Sequence, residues 1–547
     1  MRVCLFRHSR ASASGKRRHA TGPGGAAGYG QRRRSRDTSI RSWPRSQSHW
    51  RGVIGTGPRS RSDPCVPIGV NNVTDQVRAN SAVPGALARL NHSDIPIPRE
   101  VRSKVARPPG PSTAKALRNL FSRRRAPWFM VGLEREYPEI AHMRMLGLNR
   151  YVLNSPELIV EAFTNNAHEL IKGPVYDGLK AVVGNGLLTS EGPIHLANRR
   201  LAQPAFHRDR IAEYSRSMVE LTLAHERSWS PGQQVDMSSE MTALTLTIVG
   251  RTLFGTDLSG DASDLGHALR KILHVTSRYL ALGPALWRYP SPARNQSAQA
   301  LATMDDVVNR IIAEHRVAGD NGDMLSLLLF AAEDGDAFTD AQVRDEVMTL
   351  VLAGHETTAM TLTWTWMLLA NHEDQAQRLR EELDAVLAGR PPTMDDIAQL
   401  PRTRAVLAEA IRLYPPIWLY GRRLLSDVEL GGWVLPAGAN AMVSPFAMHR
   451  SPRWWPNAEN FQPERWLDAA GVFDEHQPGV PRGVWTPFGW GNRKCIGEQF
   501  AWTEAMLVIA TLAQTWSPRL ATSAPVHPET AITLRPKGGL PMVLQRV

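Results

Sequence analysis

Cysteine is scarce in this chain: its 547 residues hold three. Two of them, Cys4 and Cys65, lie in an N-terminal stretch with no sustained helical or strand periodicity, so the folded body has no disulfide framework. A zinc site of two to four clustered cysteines is excluded with it. Long apolar runs are missing too. No stretch of about 18 uncharged apolar residues occurs, so no spanning helix is expected. Acids are lacking only at the N-terminus. The formal charge is +12, yet residues 1–63 carry 15 Lys and Arg against Asp37 and Asp63. The remainder is close to neutral, which removes from the body the electrostatic footprint of a nucleic-acid or membrane-surface protein. No internal repeat is present.

Residues 1–82, rich in Arg, Ser and Gly around Arg32–Arg36, fit a basic, disordered extension. Three origins stay open for it. It is upstream sequence read as protein from a misplaced start, a transit-type peptide, or a nucleic-acid-binding arm, although aromatics at regular spacing are missing. The next methionine is Met130, so a shorter chain needs a non-methionine start such as Val70 or Val83. A single large catalytic domain is expected over 83–547.

Within that body, Arg107–Pro111 reads as a rigid extended lead-in, because proline fixes φ and discourages helix before it. Ala114–Tyr137 looks like one helix, His142–Asn154 like two short strands with a Gly-Leu-Asn turn, and Pro156–Thr164 like a helix. From Ala202 to Gln377 the pattern is mostly helical, with a Gly- and Pro-rich break near Gly283–Ser291. Val428–Val443 is strand-like, and Ile532–Leu534 with Pro541–Leu544 predicts a hairpin around Lys537–Gly539. The fold class is mainly α with small β-sheets, an α+β domain.

Four constellations carry chemistry. Cys495, in the run Phe488–Gly497, is framed by glycines, an aromatic and Arg493. That setting suggests one axial thiolate ligand to a large cofactor, with a buried structural cysteine as the alternative. A helix over Ile496–Trp516 would begin directly after it and lower its pKa through free N–H groups. Gly491 and Gly497 permit a tight loop. Second, Ala353–Thr358 lies inside a long apolar helix, started by a Thr339/Gln342 capping box and running to about Ala370. Gly354 would make room for a ligand, and Glu356 with Thr357 forms an acid–alcohol pair able to relay protons. A kinked core helix with threonines bonded back to i−4 carbonyls is the alternative. Third, Glu409 and Arg412 share a helix face, and Arg465 follows in Phe461–Trp466. Fourth, His195 and Arg199 at i, i+4 can both donate to one carboxylate.

The spacing Phe-x-x-Gly-x-Arg-x-Cys-x-Gly, with the other three elements in the same order over roughly residues 100–547, resembles the cytochrome P-450 family of soluble bacterial type. The resemblance implies a haem-thiolate monooxygenase that inserts one oxygen atom of O2 into a hydrophobic molecule. It places Cys495 as the ligand of the iron of haem b, with Phe488, Gly489 and Gly497 shaping the loop. Arg493, His195 and Arg199 would meet the haem propionates, as would Arg422 or Arg423, between which the sequence does not choose. His195 stands where the family often has Trp. Gly354, Glu356 and Thr357 fall on the oxygen-activating helix, and Glu409, Arg412 and Arg465 on a structural network.

Only 52 residues follow Cys495, so electrons from NAD(P)H are expected through a separate ferredoxin system or flavodoxin-type donor. A basic face at Arg482, Arg493 and Lys494 would suit such an acidic partner. A haem-thiolate peroxygenase or isomerase is the runner-up, and a non-catalytic haem sensor the reading from another class. Candidate substrate-pocket segments are Gly173–Ser190, Leu273–Tyr289, Trp418–Tyr420 and Ile532–Leu534. Fatty acid, terpenoid, steroid and polyketide all fit their apolar character. A cytoplasmic bacterial protein is expected, or an organelle-targeted one if the tail is a transit peptide.

Overall fold

The computed structural model describes residues 107–145, 147–258, 260, 265–268, 271–272, 292–330 and 338–547. All of them belong to one compact unit, 73–547. The N-terminal extension, the break near Gly283–Ser291 and the pocket segment Leu273–Tyr289 lie outside the described residues.

In chain order the elements are α1 (Thr113–Leu120), α2 (Ala126–Glu136), β1 (Ile140–Met145), β2 (Leu148–Leu153), α3 (Pro156–Val160), β3 (Leu170–Lys172), α4 (Pro174–Val183), α5 (Gly192–Ala202), α6 (Arg208–Glu226), β4 (Gln234–Asp236) and α7 (Met237–Phe254). The helices α8 (Pro292–Ala318), α9 (Met324–Phe330), α10 (Asp340–Asn371), α11 (Glu373–Leu387) and α12 (Pro401–Leu413) follow. After them come β5 (Tyr420–Leu424), β6 (Val428–Leu430), β7 (Trp433–Leu435), β8 (Asn440–Val443), α13 (Pro445–Met448), α14 (Glu498–Leu512), β9 (Arg519–Leu520), β10 (Pro528–Thr530), β11 (Leu534–Pro536) and β12 (Pro541–Val543). The fold is mainly helical with small sheets, as expected.

Two expectations need correction. Ala114–Tyr137 is two helices: Pro127 stands at the start of α2, where a missing N–H costs nothing, whereas inside one helix its ring would meet the carbonyl four residues back. The C-terminal strands exist but do not pair with each other. β11 pairs with β10, while β12 pairs with β4 and β9. The Asp236 carboxylate decides this: its Oδ1 accepts from Leu540 N at 2.7 Å and caps α7 through Ser238 N at 3.2 Å. That anchor draws the chain after Gly539 onto β4.

The largest sheet has the order β1-β2-β8-β5-β3. Its centre is buried, and β5 carries Arg422 and Arg423 inward from it. α10 is the axis of the molecule. Its Thr339/Gln342 capping box forms as expected, and the helix is buried along most of its length. α7 lies along it closely enough that a Cβ on Gly354 would come within 3.2 Å of Val249 Cγ2. The Thr245 hydroxyl also crosses to the His355 carbonyl at 3.1 Å.

Behind this layer sits a buried ionic network. Arg412 spends all five N–H donors: two on Glu409, the rest on the carbonyls of His449, Ala458 and Asn460. Glu409 in turn accepts from Arg465 Nε at 3.0 Å, Trp466 Nε1 at 2.9 Å and Gln462 N at 3.0 Å. Both members of the Glu409–Arg412 pair are fully shielded from solvent. Replacing Glu409 by Ala leaves a buried guanidinium uncompensated, so a loss of about 3–5 kcal/mol is expected in urea unfolding. An unchanged midpoint would contradict this account of the network.

Candidate functional site: a thiol loop facing a cationic cluster

The loop that presents Cys495 is closed by its own backbone. Cys495 N donates to Phe488 O at 2.9 Å, and Gly489 N to Thr486 O at 3.1 Å. Gly491, with φ +73°, is obligatory: a Cβ there would sit 2.0 Å from the Phe163 carbonyl oxygen. The Phe488 ring is half-buried, 6.0 Å from the ring of Trp502. The loop's base is tied to the ionic network, because Thr486 N donates to His449 Nε2 at 3.1 Å. Burial and the neighbouring Arg412 and Arg450 push the His449 pKa well down, which keeps that nitrogen an acceptor.

α14 starts at Glu498, not directly after Cys495, and Gly497 is its N-cap with φ −88°. Gly497 ends the turn Ile496–Gly497 without needing a positive φ. Its backbone N–H is near enough to the Cys495 sulfur to favour the charged form. The thiol has the accessible surface of an exposed residue, yet protein surrounds it so closely that burial pushes its pKa up, against the Gly497 N–H and the nearby Arg199 and Lys494. The two facts agree if the sulfur opens onto a space enclosed by protein rather than onto bulk solvent.

Cations gather beside this loop. Arg199 on α5 donates to Lys494 O at 3.0 Å, which fixes α5 against it. Arg493 donates to Ser190 O at 3.2 Å and pairs with the Glu191 carboxylate. Lys172 Nζ donates to Leu187 O at 3.1 Å from the end of β3. Arg422, on β5, lies over the rings of Phe163 and Tyr176. Burial together with Arg493, Lys172, Arg199 and Arg422 drives the pKa of His195 down to about 3. The cluster thus holds its histidine neutral and strains its own cations: burial, Arg493 and Arg422 push Lys172 well below its ordinary range. Arg422 and Arg423 part company here, since Arg423 pairs with Asp177 at 2.9 Å.

On α10 the expected residues separate by face. Ala353 is exposed, and Gly354 and Thr357 are half-buried, although they lie in an otherwise buried helix. The space that Gly354 leaves is taken up by α7, so the open face belongs to Ala353 and Thr357. Thr357 Oγ1 donates to Ala353 O at 2.9 Å. Glu356 points elsewhere and is buried, accepting from Thr533 Oγ1 at 2.8 Å and Arg535 Nη2 at 2.5 Å. Glu409, Arg412 and Arg465 take no part in this site except through His449. One acid escaped the sequence reading. Glu504 is fully buried on α14, and burial pushes its pKa well above the carboxylate range against a hydrogen bond from Thr358. Geometry alone gives its two oxygens no partner, and a neutral carboxyl suits either description. A single acid within the apolar run Phe500–Leu512 was the available signal.

The donor set fits haem. The Cys495 thiol would ligate the iron, and the surplus of cations around Glu191 and Glu346 would supply the counter-charge for two carboxylates. Arg422→Gln is therefore expected to lower haem retention, measured as transfer to apomyoglobin. Arg423→Gln, which loses only its pairing with Asp177, should retain haem as wild type does. Equal loss in both variants would remove Arg422 from the site.

The comparisons agree with this geometry. The family model Cytochrome P-450 matches residues 108–541. Cyclooctatin synthase of Streptomyces melanosporofaciens is 36% identical over 453 residues, covering 82% of this chain and 96% of that protein. Cyclooctat-9-en-7-ol 5-monooxygenase of the same species is 37% identical over 383 residues, covering 69% and 82%. Pentalenene oxygenase of Streptomyces avermitilis is 35% identical over 414 residues, covering 75% and 91%. With its thiol loop, its cationic cluster and this likeness together, the chain belongs to the cytochrome P-450 family and is a monooxygenase that uses haem, O2 and reducing equivalents on a hydrophobic substrate.

Proposed function

We propose that this monooxygenase hydroxylates or epoxidises a terpenoid ring system, with haem b held by Cys495 and electrons passed from NAD(P)H by a ferredoxin- or flavodoxin-type protein in the bacterial cytoplasm. The observation that carries the substrate class is the shared likeness to relatives named for cyclooctat-9-en-7-ol and pentalenene. The apolar, half-buried positions Ile417, Leu419 and Ile532 suit such a molecule. No helix among the described residues is long and apolar enough to cross a membrane. A single catalytic domain over 83–547 accommodates the matched range.

Haem held by Cys495 would supply the activation of O2. The protein's own groups do the rest. The Gly497 N–H stabilises charge on the Cys495 sulfur, and the loop closed by Phe488 keeps water from it. Arg199, Arg422 and Arg493 balance the two carboxylates of the cofactor, with neutral His195 as a hydrogen-bond donor. Thr357 hydrogen-bonds on the open face of α10, and Glu356 supplies protons from behind it. Retention of this acid–alcohol pair supports O2-driven oxidation over a peroxygenase or isomerase role.

The electron donor would dock beside the thiol loop, where a cavity of about 650 Å³ is bordered by Arg482, Trp490, Lys494 and Glu498. Arg493, expected on that face, is turned inward to Glu191 and leaves Arg482 and Lys494 as its cations. Lys494→Glu should slow reduction by the acidic donor and flatten the salt dependence of that rate; an unchanged salt profile would move the docking face elsewhere.

Substrate class is tested by haem spin-state titration against terpenoid, fatty-acid, steroid and polyketide panels, with a shift expected for terpenoids alone. Thr357→Ala should leave that shift intact and lower product formed per NAD(P)H by about tenfold or more. Full coupling in Thr357→Ala would contradict the relay.

A further inference from the structure

We propose that Glu191 is a positioning residue of the cofactor pocket: it locks Arg493 between β3 and the thiol loop, and its charge holds the reduction potential of the bound iron down. This deepens the proposed function and rests on the cationic cluster as the seat of the cofactor's two carboxylates.

Glu191 stands where an acid has an easier task. It is the N-cap of α5, with extended backbone at φ −131° and ψ 167°. Acids gather at helix N-termini because free N–H groups and the dipole favour negative charge there. Glu191 makes no capping bond to its own helix. Its side chain is turned inward instead and left only 3% exposed. A carboxylate gives up both helix end and water only where stronger partners replace them.

Two partners do. Glu191 accepts the Lys172 backbone N–H at 2.5 Å through Oε1, and its Oε2 pairs with the Arg493 guanidinium. One carboxylate therefore bridges the end of β3 and the thiol loop. Arg493 is gripped by two adjacent residues, since it also donates to Ser190 O at 3.2 Å. That grip aims it into the cluster and away from the surface cations Arg482 and Lys494.

The arginines are thereby made unequal. Arg199 donates to the Lys494 carbonyl at 3.0 Å, and Arg422 to the Gly421 carbonyl at 2.9 Å and the Tyr176 hydroxyl at 3.4 Å. Those partners are neutral, whereas Arg493 is ion-paired. Burial disfavours the charge on Arg493, as do Arg422 and Arg199, and Glu191 offsets them. Arg493 thus brings hydrogen bonds to the pocket with its charge already matched by protein.

The consequence is a potential. Reduction adds one electron to the iron, and unmatched positive charge nearby favours the reduced form. Buried charges are screened little by salt, so this field persists at physiological ionic strength. Glu191 subtracts one positive charge from it, and reduction is harder with Glu191 than without it. Glu191 acts through Arg493 and through the field, without touching the reacting atoms.

Glu191→Gln tests this, because glutamine keeps the size and an oxygen for the Lys172 N–H while losing the charge. The midpoint potential of the holoenzyme, read by dye-mediated redox titration, should move positive with the ferrous–CO spectrum unchanged. Glu191→Asp, which keeps the charge, should stay close to wild type. A second pair of variants avoids leaving Arg493 buried and unpaired. Arg493→Gln alone should move the potential negative, and adding Glu191→Gln should return it towards wild type. An unchanged or lowered potential in Glu191→Gln overturns the proposal, as does equality of Arg493→Gln and the double variant. Faster haem transfer from Glu191→Gln to apomyoglobin at an unchanged potential also overturns it, leaving Glu191 a structural strut. The underlying reading fails separately: Arg422→Gln with wild-type haem retention and potential would remove the carboxylates from this cluster and overturn both.

Discussion

The buried Glu409–Arg412 pair is the constraint on which the rest of the site depends. An ion pair without solvent is tolerable only when every donor and acceptor is satisfied, and Arg412 meets that condition by bonding three carbonyls far along the chain. One of those carbonyls belongs to His449, whose ring accepts the Thr486 N–H at the foot of the thiol loop. Trp455, Trp466 and Trp485 pack around this line, with Trp466 and Trp485 ring centres 4.7 Å apart. Satisfying one buried charge therefore fixes where the loop begins, and the Phe488–Cys495 bond fixes where the sulfur ends.

Electrostatics divide the molecule on either side of that sulfur. Beside it, Lys172, Arg199, Arg422 and Arg493 outnumber the acids among them, a costly arrangement for a protein alone and an appropriate one for a dianionic cofactor. On α10, Glu356 is ionically matched by Arg535 without help from a ligand. α10 is held by close contact with α7, Gly354 against Val249 and Thr245 on the His355 carbonyl.

The motifs that survive in the sequence are those whose chemistry is local. The Thr339/Gln342 capping box, the i, i+3 Glu409/Arg412 pair and the glycine-framed Cys495 were legible because neighbouring residues create them. Gly354 was legible as special, but its approach to Val249, more than a hundred positions away, was not. Gly497 was legible as a loop glycine, and the fold adds that it caps α14. Arg493 looked like part of a basic surface and is turned inward to Glu191.

The sequence by itself pointed to the class of chemistry, because the thiol loop, the acid–alcohol pair and the ionic triad stand in the order that resembles the cytochrome P-450 family. It also determined the helical character of the body, because periodicity and capping act within a few residues. Tertiary structure alone decided the pairings. Which of Arg422 and Arg423 joins the cationic cluster depends on Asp177, and where β12 lies depends on Asp236. That Glu356 answers to Arg535 depends on a C-terminal segment folding back onto α10. Such contacts join residues far apart along the chain, and no local pattern encodes a partner that only the folded chain brings near.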